Sequence, residues 1–336
     1  MKEALLYRKI DNKNVRCNLC AHHCQIAPGK TGICKVRKNI DGTLFTLVYG
    51  RAIAKHIDPI EKKPLYHFYP GSKTLSIGTL GCNFHCSFCQ NCGISQIKNE
   101  QNIAQGLFTT PEEIVEEAQK CGCKSIAYTY NEPTIFFEYA FDTAGIALQR
   151  GIKNVFVSNG YMSQEMIDKI TPRLDAINID LKTFNDITYQ QLTGGRLQPV
   201  LESLRKIAAT KIRLEVTTLI IPGINDSPQE LFEIANFIAN ELGKNVPWHI
   251  TRFFPAFKLT QLPPTPLNSL FIAKETGLKA GLNHIYIGNI SAEKEQNTTC
   301  PNCDTTLIER KGYHFISNRI ENGLCPKCKS PIAITL

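Results

Sequence analysis

The chain has no run of about 18 consecutive apolar residues, the length a membrane-spanning helix requires, so no helical membrane span is expected. Its first residues, Met1-Lys2-Glu3-Ala4-Leu5-Leu6, carry no apolar signal-peptide core, and the expected location is the cytoplasm. No Gly-x-Gly-x-x-Gly follows a strand-like run, which removes support for a dinucleotide-binding fold. A basic stripe is also missing. The formal charge is +8, but Arg310, Lys311 and Lys327 near the C-terminus are too few to make a nucleic-acid face. If the cysteines described next are metal-bound thiolates, the net charge falls to roughly +3. Nucleic acid is therefore not an expected partner.

What the sequence does have is cysteine. Fourteen cysteines in a chain without an export signal point to metal rather than disulfides, and they fall into groups. Cys17, Cys20, Cys24 and Cys34 lie on a short stretch whose longest gap holds the turn Pro28-Gly29-Lys30-Thr31-Gly32, the pattern of a closed metal site. Spacing does not distinguish zinc from an iron–sulfur cluster there, and His22 and His23 are read as bystanders beside four cysteines. Cys300-Pro301-Asn302-Cys303 and Cys325-Pro326-Lys327-Cys328 form two knuckles of a zinc ribbon, with a rubredoxin-like iron centre as the alternative. Cys121 and Cys123 are read as structural. The remaining group is Gly81-Cys82-Asn83-Phe84-His85-Cys86-Ser87-Phe88-Cys89, a CxxxCxxC that follows an apolar run. Iron–sulfur clusters are ordinarily held by four cysteines. Three thiolates can hold three corners of a [4Fe–4S] cube and leave one iron open. Structural zinc or an electron-transfer cluster are the plainer readings, and Cys92 extends the series so that Cys86, Cys89 and Cys92 compete as ligands.

At 336 residues the chain exceeds the usual single domain, and three units are expected: 1–50 as a four-cysteine extension, 51–295 as the main domain, and 296–336 as a metal-stapled tail. Strand-like runs at 75–80, 125–130, 154–158, 176–181, 212–221, 249–254 and 284–287 alternate with helical stretches. Two helix starts, Thr110-Pro111-Glu112-Glu113 and Ser227-Pro228-Gln229-Glu230, combine an N-cap hydroxyl, a first-turn proline and a capping-box glutamate. A third helix, 133–150, is expected to bury Phe136, Ala140, Ala144 and Ala147. Residues 50–74 yield no firm secondary structure. Repeated β-α units predict an α/β fold, a partial (β/α)6 TIM-like barrel, with a doubly wound open sheet as the alternative. In such barrels the chemistry sits at the C-terminal strand ends, where Tyr130-Asn131-Glu132, Ser158-Asn159-Gly160, Asp180, Lys182 and Asn289 gather.

With these motifs in order, the chain resembles the radical S-adenosylmethionine (SAM) enzymes, in the branch of the pyruvate formate-lyase activating enzymes. More closely it resembles the radical SAM component of the AmmeMemoRadiSam system. The resemblance runs through cysteines 17 to 34, Ile60-Glu61-Lys62-Lys63-Pro64-Leu65-Tyr66-His67-Phe68, the CxxxCxxC with Gln90-Asn91, and Tyr130-Asn131-Glu132-Pro133. It continues through Ser158-Asn159-Gly160, Ile179-Asp180-Leu181-Lys182, Ile221-Pro222-Gly223-Ile224-Asn225-Asp226 and Trp248-His249-Ile250-Thr251-Arg252-Phe253-Phe254-Pro255.

The resemblance implies that Cys82, Cys86 and Cys89 ligate three irons of a [4Fe–4S] cluster whose open iron chelates SAM. The reduced cluster then cleaves SAM to methionine and a 5′-deoxyadenosyl radical. Phe88 would set its backbone against adenine. Asn131-Glu132-Pro133 stands where many relatives carry Gly-Gly-Glu, which gives Glu132 to the SAM ammonium. Ser158, Asn159, Asp180 and Lys182 would reach the ribose and carboxylate, and His249 would complete the pocket. Each has a plainer role as well, since strand-end Asn and Asp commonly make turn hydrogen bonds. Cys92 departs from the family, where an aromatic follows Gln-Asn. The implied enzyme abstracts hydrogen from an unidentified substrate, with an electron donor such as ferredoxin or flavodoxin and protein partners of the AmmeMemoRadiSam system. The alternatives are a glycyl-radical enzyme activase and a non-catalytic zinc-ribbon binding protein.

Overall fold

All seven apolar runs become strands of one sheet in the computed structural model, which describes residues 1–97, 103, 108–291 and 293–336. These strands are β2 (Lys73–Gly78), β3 (Ser125–Tyr128), β4 (Lys153–Ser158), β5 (Ala176–Asp180), β6 (Arg213–Ile220), β7 (Trp248–Arg252) and β8 (Ile285–Gly288), preceded by β1 (Ala54–Pro59). They pair in chain order, β2 to β8 parallel throughout, and β1 adds to β2 antiparallel with Pro59 opposite Lys73 and Ala54 opposite Gly78. Sequential parallel pairing with helices between strands curls the sheet one way. Because β8 and β1 do not pair, the result is a partial barrel.

The strand β1 was not legible beforehand because its burial does not alternate. Of Ala54–Pro59 only Asp58 is buried, so no apolar periodicity marks it. Lys55, His56 and the closing Pro59 also suit an edge strand, where charge and a missing N–H discourage further pairing.

Helices cover the outer face of the sheet. Thr110 caps Pro111–Lys120 as a full capping box, its hydroxyl accepting from the Glu113 N–H while the Glu113 carboxylate accepts from the Thr110 N–H. Pro133–Phe136 is a 3₁₀ turn that continues as the helix Phe137–Gln149, and Phe136, Ala140, Ala144 and Ala147 are fully buried as expected. Side chains of this kind contribute about 1.5–3 kcal/mol each where large, less for alanine. At Pro228–Phe237 the Ser227 hydroxyl accepts from the Glu230 N–H, but no box forms. The Glu230 carboxylate instead accepts from Thr183 Oγ1 and from the Phe184 N–H at 2.8 Å, tying this helix to the loop after β5.

Two small antiparallel sheets occupy residues 2–46, and a third, Thr298–Thr299, Thr306–Lys311 and His314–Asn318, occupies the tail with its own apolar cluster around Leu307 and Ile308. Among the described residues, no helix is long and apolar enough to cross a membrane.

Candidate active site

The cysteine loop begins where β2 ends, and its course is held by the neighbouring strand ends. Gly81 has a φ of 92°, and a Cβ there would lie 2.7 Å from both the Cys34 carbonyl and Val36 Cγ1. The loop thus packs directly on the N-terminal cysteine stretch, which only glycine permits. Asn131, after β3, donates to the Gly81 carbonyl at 2.7 Å and accepts from the Thr79 N–H. Farther along, the His85 and Ser87 N–H groups donate to the Thr193 and Leu192 carbonyls at the end of the helix Asp186–Thr193, and the Lys258 N–H donates to the Ser87 carbonyl.

Cys82, Cys86 and Cys89 line one cavity of about 520 Å³ at the C-terminal ends of the strands. Cys92 does not line it; this residue opens a one-turn helix, Cys92–Ser95. Ser95 Oγ lies 3.1 Å from Cys89 Sγ, and the Phe84 N–H donates to Cys82 Sγ at 3.4 Å. Burial pushes the Cys86 thiol up to about 11, with the nearby Lys182 ammonium opposing. Three thiols, the only cysteines among the described residues that line this cavity, are a donor set that would suit a cluster with one open corner, and the residues present fit such a group.

Glu132 stands behind this wall. It is wholly buried, and its carboxylate accepts from Thr134 N at 3.0 Å, Thr134 Oγ1 at 2.6 Å, Ser158 Oγ at 2.8 Å and Asn159 N at 2.7 Å. Burial raises its carboxyl above the usual range, and these donors pull the other way. Asn159 passes the constraint on by donating to Asn83 Oδ1 at 2.7 Å, with Cys82 Sγ at 4.0 Å from the same nitrogen. The structure therefore unites Glu132, Ser158 and Asn159, but Glu132 faces its neighbours while Ser158 and Asn159 reach the cavity.

Across the cavity, Lys182 Nζ donates to Asp180 Oδ2 at 3.0 Å and lies 5.5 Å from the Phe88 ring centre. Burial alone would lower the Lys182 pKa, but Asp180 and Cys86 outweigh it and the ammonium is held above its ordinary value. His249 sits elsewhere. Its Nε2 is 2.6 Å from Glu215 Oε2, and its ring stacks on Tyr286 and meets Tyr66 edge-on below the cavity. Glu215 also accepts from the Tyr66 and His67 N–H groups, so His249 belongs to a buried cluster with Glu215, Tyr66 and Tyr286 and does not line the cavity. The cavity wall adds Lys63 and Thr251, which lie within the quoted motifs but carried no expected role, and, from the tail, Tyr313, which lies in none. An aromatic in a short cysteine-bearing tail has no sequence signal that directs it to a barrel mouth.

The two outlying cysteine sets differ in geometry. In the tail, Cys300 and Cys328 Sγ are 3.6 Å apart, Cys303 and Cys325 Sγ are 3.7 Å apart, and all four atoms lie within 4.8 Å of one another. Cys17, Cys20, Cys24 and Cys34 line a second cavity together with Arg37 and Asn83. Their stretch is zipped to the loop after β4 by the Ala21 N–H to the Tyr161 carbonyl and the Ser163 N–H to the Leu19 carbonyl. Cys123 is buried just past the helix Pro111–Lys120, and Cys121 is its C-cap.

The Radical SAM superfamily profile matches residues 76–238. The chain is 42% identical over 338 residues to an uncharacterised protein of Methanocaldococcus jannaschii, covering 100% of both. A putative glycyl-radical enzyme activating enzyme of the same organism is 24% identical over 231 residues, 66% of this chain and 80% of its own. The pyruvate formate-lyase-activating enzyme of Clostridium pasteurianum is 22% identical over 177 residues, 51% and 71% respectively. Among solved structures, a radical SAM methyltransferase from Sphaerobacter thermophilus shares the fold with a TM-score of 0.50 at 16% identity, over 68% of this chain and 71% of that one.

Proposed function

Since the chain belongs to the radical SAM superfamily, we propose that it is an enzyme that cleaves SAM reductively and abstracts a hydrogen atom from an unidentified substrate. The observation that carries this reading is that Cys82, Cys86 and Cys89 line one cavity and are the only cysteines among the described residues to do so. A [4Fe–4S] cluster and SAM bound there supply one-electron cleavage and a radical able to take hydrogen from carbon. The chain's own residues bind and orient. Lys182 offers the SAM carboxylate a cation, with Asp180 fixing its head. Phe88 supplies an apolar wall for adenine. Glu132 acts at one remove, setting the positions of Ser158 and Asn159. Tyr130, Lys63 and Tyr313 narrow the mouth and limit water. The tail sulfurs have the separation of ligands on one tetrahedral zinc ion.

Anaerobic reconstitution followed by reduction with dithionite in the presence of SAM tests the proposal. Formation of 5′-deoxyadenosine and methionine is expected; a fully reconstituted protein that leaves SAM intact would refute it. A second reading, an activase that installs a glycyl radical on a partner protein, draws on the two activating-enzyme relatives. It is rejected if no glycyl doublet arises by electron paramagnetic resonance with candidate glycyl-radical proteins. The finer subfamily reading, a radical SAM component of an AmmeMemoRadiSam system with ferredoxin or flavodoxin as donor and a cytoplasmic setting, rests on the motif resemblance.

A further inference from the structure

The two outlying cysteine sets are alike in number but not in spacing. Four thiolates converging on one tetrahedral zinc at about 2.3 Å lie about 3.8 Å from one another. The tail meets that condition, with sulfur pairs at 3.6 and 3.7 Å. The N-terminal set does not. Among the described residues, the tail is the one place where three or more metal-binding side chains bring their ligand atoms within 4.8 Å of one another. Yet Cys17, Cys20, Cys24 and Cys34 all line a single cavity. Thiolates on the outer corners of a four-iron cube are held farther apart than thiolates on one ion, because the metal–sulfide core stands between them.

A second observation comes from the same cavity. Arg37 and Asn83 line it, are 2% and 1% exposed, and each has a buried nitrogen without a hydrogen-bond partner among the described residues: Arg37 Nε and Asn83 Nδ2. Buried N–H donors are nearly always satisfied, so two of them on one cavity indicate an acceptor that belongs there. The rest of each side chain is engaged. Arg37 Nη1 donates to both Glu138 oxygens at 3.0 and 2.9 Å, and Asn83 Oδ1 accepts from Asn159. His22 also lines the cavity, and its Nε2–H donates to the Asn83 carbonyl at 2.8 Å.

We propose that Cys17, Cys20, Cys24 and Cys34 hold a second [4Fe–4S] cluster, with Arg37 and Asn83 donating to its sulfurs. A four-iron core with four thiolates carries a charge of about −2, and hydrogen bonds to its sulfurs tune its potential. The cluster sits against the back of the barrel's cysteine loop. Asn83 follows Cys82 in the chain, and Gly81 packs on the Cys34 carbonyl. It is a one-electron centre distinct from the SAM cavity, and its presence does not depend on the reaction proposed above.

The test is a metal count on the full chain after anaerobic reconstitution with iron, sulfide and zinc together. Wild type is expected to hold about eight irons, eight sulfides and one zinc per chain. The triple variant Cys82→Ala/Cys86→Ala/Cys89→Ala is expected to keep about four irons and four sulfides, with a cluster signal in electron paramagnetic resonance after reduction. Cys20→Ser/Cys24→Ser should lose that share and keep the tail zinc, and Arg37→Lys should shift the midpoint potential of the cluster retained in the triple variant. Four irons with two zincs in wild type would overturn the proposal. The wild-type count needs no variant to fold. Failure of SAM cleavage in a protein holding eight irons would sink the proposed function and leave this site standing.

Discussion

At the residue scale, the cysteines divide into those that line the cavity and those that do not. Cys86 lines the cavity whereas Cys92 starts a helix turn outside it. Cys86→Ala is expected to lower bound iron and sulfide and abolish 5′-deoxyadenosine formation, while Cys92→Ser leaves the iron content at the wild-type level; metal and sulfide assays check both. Glu132 sets a sharper problem, since the carboxylate expected to meet SAM is engaged by Thr134, Ser158 and Asn159. Glu132→Gln replaces an acceptor with a donor facing other donors, and hydrogen bonds to a buried charge contribute about 1.5–3 kcal/mol. A loss of about 2 kcal/mol in unfolding free energy is therefore expected, with SAM affinity falling less than in Lys182→Met. Denaturant titration and equilibrium SAM binding separate the two roles. If Glu132→Gln loses SAM binding at unchanged stability, the residue contacts the ligand directly.

At the element scale, the sheet was readable from its apolar runs because seven strands are buried nearly end to end. The strand β1 was not, because its pairing rests on backbone hydrogen bonds and on Asp58, which accepts from Lys62, Lys63 and Tyr130. A capping box was expected at Ser227, yet its glutamate serves a loop from another part of the chain. The turn at Gly81 is the element on which the site depends most. Gly81→Ala forces a side chain into a φ of 92° and into contact at 2.7 Å with the Cys34 carbonyl. Strain of this kind costs on the order of 1–3 kcal/mol. The variant is expected to melt at lower temperature and to incorporate less iron, measured by calorimetry and iron assay on the same sample.

At the scale of the whole molecule, the tail is joined to the barrel by a buried arginine. Arg310, one of the tail's basic residues too few to make a stripe, is 1% exposed and donates to the Tyr66 carbonyl, Thr298 Oγ1, the Gln296 carbonyl and Glu61. Arg310→Met leaves the Glu61 carboxylate buried without its cation, which costs about 3–5 kcal/mol. Proteolysis should then release residues 296–336 faster while their zinc is retained. Cys303→Ala should do the reverse, losing zinc without abolishing SAM cleavage, as metal analysis and product assay would show. Acid acts on the same junction. Burial lowers His284 to about 4, and it packs edge-on to His67. An unfolded histidine takes up its proton near 6.5, so stability is lost as pH falls from about 6.5 to about 4, by about 3 kcal/mol at most. His284→Gln should flatten that part of the denaturation profile measured against pH.

The sequence by itself determined the alternating sheet, the three cysteine groups and the CxxxCxxC loop at a strand end, because burial periodicity and metal-ligand spacing are local properties of the chain. Only the tertiary structure decided which polar side chains face the cavity. Lys182 and Asp180 do, whereas Glu132 is turned to Thr134, Ser158 and Asn159, and His249 is paired with Glu215. The orientation of a strand-end side chain depends on the partners that distant segments bring to it. The same holds for the sulfur separations: the four tail sulfurs lie within 4.8 Å of one another and those of the N-terminal set do not, a difference set by how the backbone beneath each set is packed.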